Sequence, residues 1–262
     1  MSISLNQKKL FSALDPIVKN NFNIEQIYLF EDIDSTQHYL RNELVDFPSL
    51  VVAETQRAGK GRFARNWYSK GENILMSCSW RYHQFPRQLT GLGLALIVEL
   101  ADLLHEEFAI ISTIKWPNDL LISGKKVAGL LIDVESGSDC QIYIGLGLNI
   151  RQDAGLKIDQ PWIDLASLTD KEIDRNNLMA KLFSRWFITL MDYPYTGFQP
   201  FRRRWIDLSE HNGKLIVLSK NNKVTAQGIM RGIDDQGFLL VESNGKLTTV
   251  TDSECSMRLL DQ

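Results

Sequence analysis

Apolar residues return with a helical period in several segments of the chain. In the longest, residues 87–108, leucine and alanine recur about every 3.6 positions, as in a helix with one face on a core. The pattern of residues 8–20 is weaker and is disturbed in its middle by Pro16. Residues 176–191 carry another apolar stripe, and Tyr-Pro-Tyr at 193–195 predicts the end of that helix. The predicted helices cover residues 8–20, 87–108, 176–191 and 198–208, with a shorter one after Asp34 that runs through Asn42 and Leu44.

Short apolar runs bounded by turn residues predict strands between these helices. Several neighbouring runs are joined by tight turns such as Asn118-Asp119, Ser123-Gly124 and Gly137-Ser138, which predict hairpins. The runs cover residues 27–30, 50–53, 73–80, 110–115, 120–122, 126–134 and 141–150. The fold class is therefore α+β, with a mixed or antiparallel sheet flanked by helices, and not a doubly wound parallel sheet.

The pattern changes near residue 210. Short strands at 215–218, 224–233, 238–241 and 247–251 alternate with turns, and Asn244-Gly245 is a strong hairpin signal. These strands predict a small barrel. We therefore divide the chain into residues 1–209 and residues 210–262.

Composition narrows the function classes. The chain has 262 residues, of which 44% are hydrophobic and 23% charged, as in a soluble globular protein. The net charge of −3 gives no overall field that would attract nucleic acid. Three widely spaced cysteines fit buried thiols in a reducing compartment, and the four histidines show no metal-ligand spacing. No secretory signal or membrane-spanning segment is evident, so we expect a cytoplasmic protein with no membrane partner.

The segment with the clearest chemistry is residues 53–68, a loop between two predicted strands. Gly59 and Gly61 allow backbone N–H groups to turn toward an anion. Four cations, Arg57, Lys60, Arg62 and Arg65, add charge, and Trp67 adds an apolar face over a ligand. A solvated basic loop is the plainer interpretation, but this crowding of glycines, cations and tryptophan favours an anion-binding site.

Two known phosphate motifs do not fit this loop. A P-loop needs a hydroxyl residue after its lysine, and Lys60 is followed by Gly61. The spacing Gly59-x-Gly61-x-x-Ala64 matches a relaxed dinucleotide fingerprint, but residues 65–71 have no helical period. Both motifs are therefore rejected.

Four blocks in order resemble those of the biotin protein ligases. Gly59-Lys60-Gly61-Arg62-x-x-Arg65-x-Trp67 resembles the Gly-Arg-Gly-Arg-x-x-Arg-x-Trp loop of that family. Lys115-Trp116-Pro117-Asn118-Asp119 is similar to its Lys-Trp-Pro-Asn-Asp block. Lys125-Lys126-Val127-Ala128-Gly129 and Gly145-Leu146-Gly147-Leu148-Asn149 resemble its basic hairpin and its glycine-rich strand end. The resemblance extends from about residue 32 to the C-terminus.

Two positions of the loop depart from the family pattern. Lys60 stands where the family usually has arginine, so the charge is kept while bidentate geometry is lost. Ala64 replaces a common glycine.

The resemblance implies a biotin–[biotin carboxyl carrier protein] ligase with a class II synthetase-like catalytic domain and an SH3-like C-terminal domain. Such a ligase activates biotin with ATP to biotinyl-5′-AMP and transfers biotin to a lysine of a carrier domain, here that of acetyl-CoA carboxylase. ATP with Mg²⁺ and biotin are then substrates. No side-chain metal site and no tightly bound cofactor are expected.

The same resemblance assigns roles to individual residues. Arg62, Lys126 and Asp119 would be catalytic, with Lys126 between the biotin carboxylate and the phosphoryl oxygens. The implied biotin-binding residues are Ser35, Thr36, Gln37, Gln56, Gly59, Lys60, Gly61, Arg62 and Lys126. The implied ATP- or adenylate-binding residues are Arg62, Arg65, Trp67, Lys115, Asn118, Asn149 and Trp162.

The residues alone leave several alternatives open. Asp119 is equally a turn residue or a proton acceptor, Lys126 is also readable as a hairpin surface lysine, and Ser35-Thr36 as a plain helix cap. A lipoate–protein ligase and a regulator that holds biotinyl adenylate without transferring it are the competing functions.

The rest of the chain bears on partners and regulation. Only some thirty residues precede Asp34, so we expect no helix-turn-helix domain and no DNA partner. Residues 151–169 are polar and long for a plain connection, which predicts a lid or mobile loop carrying Trp162. Monomer and homodimer both stay open.

Overall fold

The computed structural model describes residues 4–43, 46–68, 70–83, 89–153, 155, 160–221, 223–252 and 254–260. These residues form six α-helices. Short 3₁₀ turns occur at Ile24–Gln26, Arg62–Ala64 and Leu165–Ser167. The helices are α1 (Gln7–Ser12), α2 (Pro16–Lys19), α3 (Thr36–Asn42), α4 (Leu92–Phe108), α5 (Arg175–Thr196) and α6 (Gln199–Leu208). None of these helices is both long enough and apolar enough to cross a membrane.

The N-terminal segment contains two short helices, so the prediction of one disturbed helix over residues 8–20 is wrong. Pro16 begins α2 at a position where its missing N–H costs no intrahelical hydrogen bond. Asp15 caps α2 by accepting a hydrogen bond from the Ile17 N–H at 2.7 Å. Proline here starts a helix, and the chain turns between α1 and α2.

The boundaries of the two long helices also differ from the sequence prediction. The left-handed Gly91, with φ of 81°, precedes α4, and residues 87 and 88 of the predicted start lie outside the described residues. Helix α5 continues through Pro194, so the predicted stop at 193–195 is wrong. Proline cannot donate to the carbonyl of Leu190, and the Tyr82 hydroxyl donates to that oxygen instead, at 2.6 Å. The side chain of a residue distant in sequence thus hydrogen-bonds the Leu190 carbonyl, for which Pro194 has no N–H.

The first sheet is mixed, as predicted. Its strands are β1 (Ile27–Ile33), β2 (Ser49–Gln56), β3 (Gly71–Tyr82), β4 (Thr113–Lys115), β5 (Asp119–Ile122), β6 (Lys125–Ser136) and β7 (Cys140–Gln152). Their order is β1-β2-β3-β7-β6-β5-β4. Only β1 and β2 are parallel among the described pairs, and hairpins join β4 to β5, β5 to β6 and β6 to β7.

Two details near β4 correct the prediction. The strand predicted over residues 110–115 begins only at Thr113. The turn lies at residues 116–118, and Asp119 is already the first residue of β5, opposite Lys115. Strand pairing therefore fixes the backbone position from which the Asp119 side chain extends.

The second sheet is a five-stranded antiparallel one, which confirms the predicted α+β class with a small C-terminal β-structure. It contains β8 (Leu215–Lys220), β9 (Lys223–Ile233), β10 (Leu239–Ser243), β11 (Lys246–Val250) and β12 (Ser256–Leu259), in the order β11-β10-β9-β8-β12. Strand β12 was not predicted, since only Met257 and its neighbour Cys255 give it an apolar signal. The domain boundary at 209/210 stays a prediction.

The two faces of the large sheet are covered differently. Helices α4 and α5 pack on one face, where the Trp186 indole donates to the Leu96 carbonyl at 2.9 Å. The short α3 packs on the other face, with Leu40 against Val51 and Tyr143. Cys78, Cys140 and Cys255 are buried free thiols, as predicted. Because α3 is short, much of that second face remains available for a cavity.

Candidate active site

A cavity of about 680 Å³ opens on the α3 side of the large sheet, beneath the loop that joins β2 to β3. It contains nearly all the residues singled out in the sequence. Its lining includes Ser35, Thr36, Gln37, Gln56, Lys60, Gly61, Arg62, Arg65, Trp67, Lys115, Asn118, Asp119 and Lys126. The four sequence blocks, although far apart in the chain, therefore form one site.

The loop between β2 and β3 folds back on itself above this cavity. The Trp67 N–H donates to the Gly59 carbonyl at 2.9 Å, and the Gly61 N–H donates to the Arg65 carbonyl at 2.8 Å. The Lys60 ammonium donates to Asn66 Oδ1 at 2.9 Å. These contacts give the loop a hairpin-like course.

Arg57 is separated from the other loop cations. Its guanidinium is paired with Asp32 at 2.5 Å and Asp34 at 2.7 Å, on the outer side of the loop. It does not appear in the cavity lining. Of the four loop cations, only Lys60, Arg62 and Arg65 line the cavity among the described residues.

One end of the cavity is a hydrogen-bonded network around Thr36. The Thr36 N–H and hydroxyl donate to Gln56 Oε1 at 2.7 and 3.0 Å, and the Ser77 hydroxyl lies 2.7 Å from Thr36 Oγ1. Ser35 caps α3 by accepting from the His38 N–H at 3.3 Å, and it also lines the cavity. Capping and ligand contact are thus compatible at this helix start.

The opposite end contains the predicted reacting groups. Lys126 Nζ lies 2.7 Å from Asp119 Oδ1, and both side chains are largely buried. The same ammonium lies 5.2 Å from the centroid of the Trp67 ring. Lys126 is therefore not a free surface lysine. Asp119 forms an ion pair with it in addition to its place at the start of β5.

Glycines on β6 and β7 make room for Trp67. A Cβ on Gly147 would lie 2.1 Å from Trp67 Cε2, and one on Gly129 would lie 3.0 Å from both Trp67 Cζ3 and Lys126 Nζ. Among the described residues, no hydrogen-bond partner reaches the buried Trp67 Nε1. The glycine-rich strand ends thus provide a flat surface for an aromatic ring.

The cavity is strongly positive although the chain is acidic. Six cationic side chains line it against one carboxylate, Asp119, among the described lining residues. The cations are Lys60, Arg62, Arg65, Lys115, Lys126 and Arg258. Burial lowers the pKa of Arg62 and of Lys115, and in both cases Asp119 opposes the shift. A site with six cations, of which Arg62 and Lys115 are partly desolvated, is complementary to a ligand with several negative charges.

Asn118 and Phe63 position Arg62. Arg62 Nη1 donates to Asn118 Oδ1 at 3.3 Å, and Asn118 Nδ2 donates to the Leu130 carbonyl at 2.7 Å. The Arg62 guanidinium also lies 5.0 Å from the centroid of Phe63, which has φ of 59°. The arginine is therefore held from two sides.

Three predicted site residues are not in the cavity lining: Gly59, Asn149 and Trp162. Asn149 is 4% exposed and donates to the carbonyls of Lys126, at 3.4 Å, and Ile163, at 3.1 Å. Trp162 forms a parallel bridge with Lys126. The Asn149 side chain and the Trp162 backbone thus both contact the backbone of Lys126 or its neighbours. The predicted lid, residues 151–169, falls in part on residues 154 and 156–159, outside the described residues.

Sequence reasoning missed the contribution of the second sheet. Residues 255–258, at the start of β12, line the cavity and bring Arg258 to it. Ser77 and Phe63 were also missed. Nothing in the local sequence of β12 indicates an approach to residues some 140 positions earlier, so this contact could not be found from the sequence.

Two family models and several known proteins are similar to this chain. Residues 29–149 match the biotin/lipoate A/B protein ligase family, and residues 213–258 match the biotin protein ligase C terminal domain. The chain is 33% identical over 261 residues to the bifunctional ligase/repressor BirA of Escherichia coli (strain K12), covering 97% of this chain and 78% of that protein.

A second relative and a solved structure are also similar to the chain. The chain is 31% identical over 202 residues to the biotin–[acetyl-CoA-carboxylase] ligase of Paracoccus denitrificans, covering 73% of this chain and 82% of that one. The biotin protein ligase from Aquifex aeolicus, solved in complex with biotin and ATP, superimposes with a TM-score of 0.79 at 24% identity. That likeness covers 89% of this chain and 99% of the other, and it shows a shared fold.

Proposed function

The chain belongs to the family of biotin protein ligases, and we propose how its cavity carries out their reaction. The enzyme activates biotin with ATP and transfers biotin to a carrier protein. The observation that carries the mechanism is the positive cavity, whose lining contains the Lys126–Asp119 pair together with five further cations.

The bicyclic ring of biotin binds at the end formed by α3, with Ser35, Thr36, Gln37 and Gln56. Thr36 fixes the Gln56 amide by two hydrogen bonds to Oε1, which leaves Nε2 as a donor beside Gly59. An amide donor in this position is complementary to the ureido oxygen of biotin. The valeryl chain then runs along the sheet toward Lys126, past Gly59, Lys60 and Gly61 of the loop.

ATP binds at the cationic end. Arg62, Arg65 and Lys115 face the phosphates, and Asn118 holds Arg62 in place. Trp67 lies on the glycine surface and provides a face for the adenine or the adenylate. Asn149 and Trp162 support the Lys126 backbone from behind, so in this proposal they act on the nucleotide through Lys126.

Adenylation brings two anions together. A biotin carboxylate oxygen attacks the α-phosphorus of ATP, the bond from that phosphorus to the bridging oxygen breaks, and pyrophosphate leaves. Lys126 and Arg62 offset the repulsion between carboxylate and phosphate and stabilise the charge that develops on the phosphoryl oxygens. The cavity positions both reactants in line.

Transfer requires a neutral amine. The carrier lysine attacks the carbonyl carbon of biotinyl-5′-AMP, the carbon–oxygen bond to the phosphate breaks, and AMP leaves. Asp119 accepts the proton that the amine loses, or orients that amine, next to Lys126. Closure of the loop over the mixed anhydride excludes water until the carrier arrives.

Further parts of the proposal concern the surroundings of the reaction. Among the described residues, no group of three or more His, Cys, Asp or Glu could hold a metal ion. We propose that Mg²⁺ enters with ATP, bound to its phosphates. The carrier is the biotin carboxyl carrier domain of acetyl-CoA carboxylase, and buried free thiols support a cytoplasmic location.

One assay tests this function. The purified chain is mixed with ATP, Mg²⁺, biotin and a biotin carboxyl carrier domain, and the carrier is probed for biotin. We expect labelling that depends on ATP and on the carrier lysine. Labelling with lipoate instead of biotin would favour a lipoate ligase, and adenylate formation without transfer would favour a regulator.

A further inference from the structure

Asp133 and Arg41 lie outside the cavity and fix the orientation of the Gln37 amide inside it. Gln37 and Arg41 are one helical turn apart on α3, and both reach the carboxylate of Asp133 on β6. Gln37 Nε2 donates to Asp133 Oδ2 at 3.0 Å, and Arg41 Nη1 donates to the same oxygen at 3.1 Å. Asp133 and Arg41 are absent from the cavity lining, whereas Gln37 is part of it.

The contacts of Gln37 allow only one amide orientation. Its Nε2 faces two acceptors, Asp133 Oδ2 and the Tyr143 carbonyl, the latter at 3.3 Å. Rotating the amide by half a turn would place Oε1 against both of these oxygens, with no donor between them. Oε1 is therefore held on the opposite side, where no donor among the described residues reaches it.

A glycine on β7 accommodates this orientation. A Cβ on Gly145 would lie 2.1 Å from Gln37 Oε1, so any other residue there would displace the amide. Gly145 and Gln37 both line the cavity. The amide oxygen thus lies flat on the strand at the end of the cavity that we assign to the biotin ring.

The carboxylate of Asp133 is itself held in place. Arg41 contacts Asp133 through Nη1 and Glu135 through Nε and Nη2, at 2.9 and 2.6 Å for the latter two atoms. The Arg41 guanidinium also lies 5.9 Å from the centroid of Tyr143, the residue opposite Asp133 on β7. A single arginine thus connects α3 to two acidic residues of β6.

We propose that Asp133, supported by Arg41, is a positioning residue that makes the site selective for a cyclic urea. This inference rests on the proposed function. Asp133 presents Gln37 as an acceptor, while Thr36 presents the Gln56 amide as a donor. A urea offers an N–H and a carbonyl side by side and satisfies both amides. A dithiolane ring, which has neither group, leaves both unpaired, and unpaired buried polar groups reject a ligand strongly.

The test measures biotin-dependent exchange of pyrophosphate into ATP, with separate KM values for biotin and ATP. Asp133→Ala is expected to raise the KM for biotin about tenfold, the effect of one hydrogen bond to a charged group, with kcat and the KM for ATP within about twofold. Asp133→Asn keeps an acceptor oxygen and restores the KM for biotin to within about twofold. Glu135→Ala is the comparison variant, because Glu135 contacts Arg41 and not Gln37. It should raise the KM for biotin less than Asp133→Ala and no more than Arg41→Ala, and a rise equal to that of Asp133→Ala would contradict the inference.

A double-mutant cycle separates positioning from general structure. In a Gln37→Ala background, Asp133→Ala is expected to cause no further rise in the KM for biotin. If Asp133→Ala does not fold, the exposed Arg41→Ala takes its place, with an expected rise of about threefold that also disappears in the Gln37→Ala background. An unchanged KM for biotin, or an equal rise with and without Gln37, would overturn the inference. Wild-type protein without biotin-dependent exchange would instead contradict the proposed function itself.

Discussion

Lys126 Nζ lies 2.7 Å from Asp119 Oδ1, and the two side chains are 15% and 20% exposed. The two residues are not register partners, since Asp119 lies opposite Gly129 and Lys126 opposite Leu121 on the antiparallel strands β5 and β6. The long lysine side chain spans this offset and brings Nζ beside Gly129. The lysine charge is thus balanced before any substrate arrives. The biotin carboxylate and the α-phosphate of ATP must share Lys126 with Asp119 or replace Asp119 as its partner. The same ion pair therefore takes part in both half-reactions.

Lys126→Ala is expected to abolish adenylate formation while the fold is kept. Loss of a cation facing two anions should lower kcat about 10²- to 10³-fold, by analogy with a lost oxyanion donor. Loss of the ion pair should lower the free energy of unfolding by about 1 kcal/mol. Pyrophosphate exchange measures the first effect, and urea unfolding the second. The neighbouring exposed Lys125→Ala is the control, and near-normal exchange by the Lys126 variant would show that its role is structural.

Asp119→Asn separates the two half-reactions. An asparagine keeps the shape and a hydrogen bond to Lys126 but cannot accept a proton. We expect adenylation within about tenfold of wild type and transfer to the carrier lysine lowered about 10²-fold or more. Pyrophosphate exchange reports the first and carrier labelling the second. An equal loss in both assays would mean that Asp119 acts by holding Lys126 and takes no proton.

Gly147→Ala tests the surface on which Trp67 lies. The new Cβ would come within 2.1 Å of Trp67 Cε2, and the strand cannot easily move to relieve this contact. We expect a displaced ring, a changed tryptophan fluorescence spectrum and a KM for ATP raised about tenfold, equivalent to about 1.4 kcal/mol. Gly137→Ala is the matched control, because a Cβ there meets nothing within 4 Å. Unchanged ATP kinetics would place the nucleotide away from Trp67.

The buried His211 should make the free energy of unfolding depend on pH. Burial, followed by repulsion from Lys115, lowers the pKa of His211 from its usual 6.5 to about 4. Between these two values the unfolded chain binds a proton that the folded chain does not, so stability falls as the pH is lowered from 6.5 to 4. The contribution is fully present above pH 6.5 and is at most about 3 kcal/mol.

The measurement compares urea unfolding at pH 7.5 and 4.5. His211→Gln removes the titrating group and is expected to lose less stability between the two pH values than the wild type. His83→Gln, at an exposed position, serves as the control and should follow the wild type. An identical acid loss in the His211 variant would show that other groups cause it.

How far the sequence predicts this site depends on whether a residue acts locally or through the fold. The loop glycines were singled out because their chemistry stands out within a few neighbouring residues. Lys126 and Asp119 were assigned only because the short blocks around them resemble those of the biotin protein ligases, and the structure places both in the cavity lining. Arg258 was missed because it reaches the cavity only through β12, a strand of four residues that pairs with β8.

The same distinction explains the errors in the fold. Pro194 was interpreted as a helix stop, and the tyrosine that allows the helix to continue, Tyr82, lies more than a hundred positions away. The assignment of Asn149 to the nucleotide stays a prediction, and the structure adds that its amide donates to two backbone carbonyls. Local pattern therefore predicts element type, and long-range contacts decide boundaries and supporting contacts.

The loop over the cavity should respond to ligand. Lys60, Arg62 and Arg65 carry like charges within six residues, so an anionic ligand offsets their repulsion and favours one ordered course. Two glycines add backbone freedom that this ordering must overcome. Since Arg57 is already paired with Asp32 and Asp34, the ligand-sensitive bonds are those after the three other cations.

Limited trypsin digestion measures this response. We expect cleavage after Lys60, Arg62 and Arg65 in the protein alone, and cleavage slowed at least about tenfold when biotin and ATP are both present, because proteolysis follows the population of the open form. Cleavage after the exposed Lys223, at the start of β9 and distant in sequence from the loop, is the internal control and should not change. Biotin alone offers one negative charge to these cations and ATP several, so the two ligands together should protect more than either one. Equal cleavage of the loop with and without ligands would show that it is already closed, and that binding and ordering are not coupled.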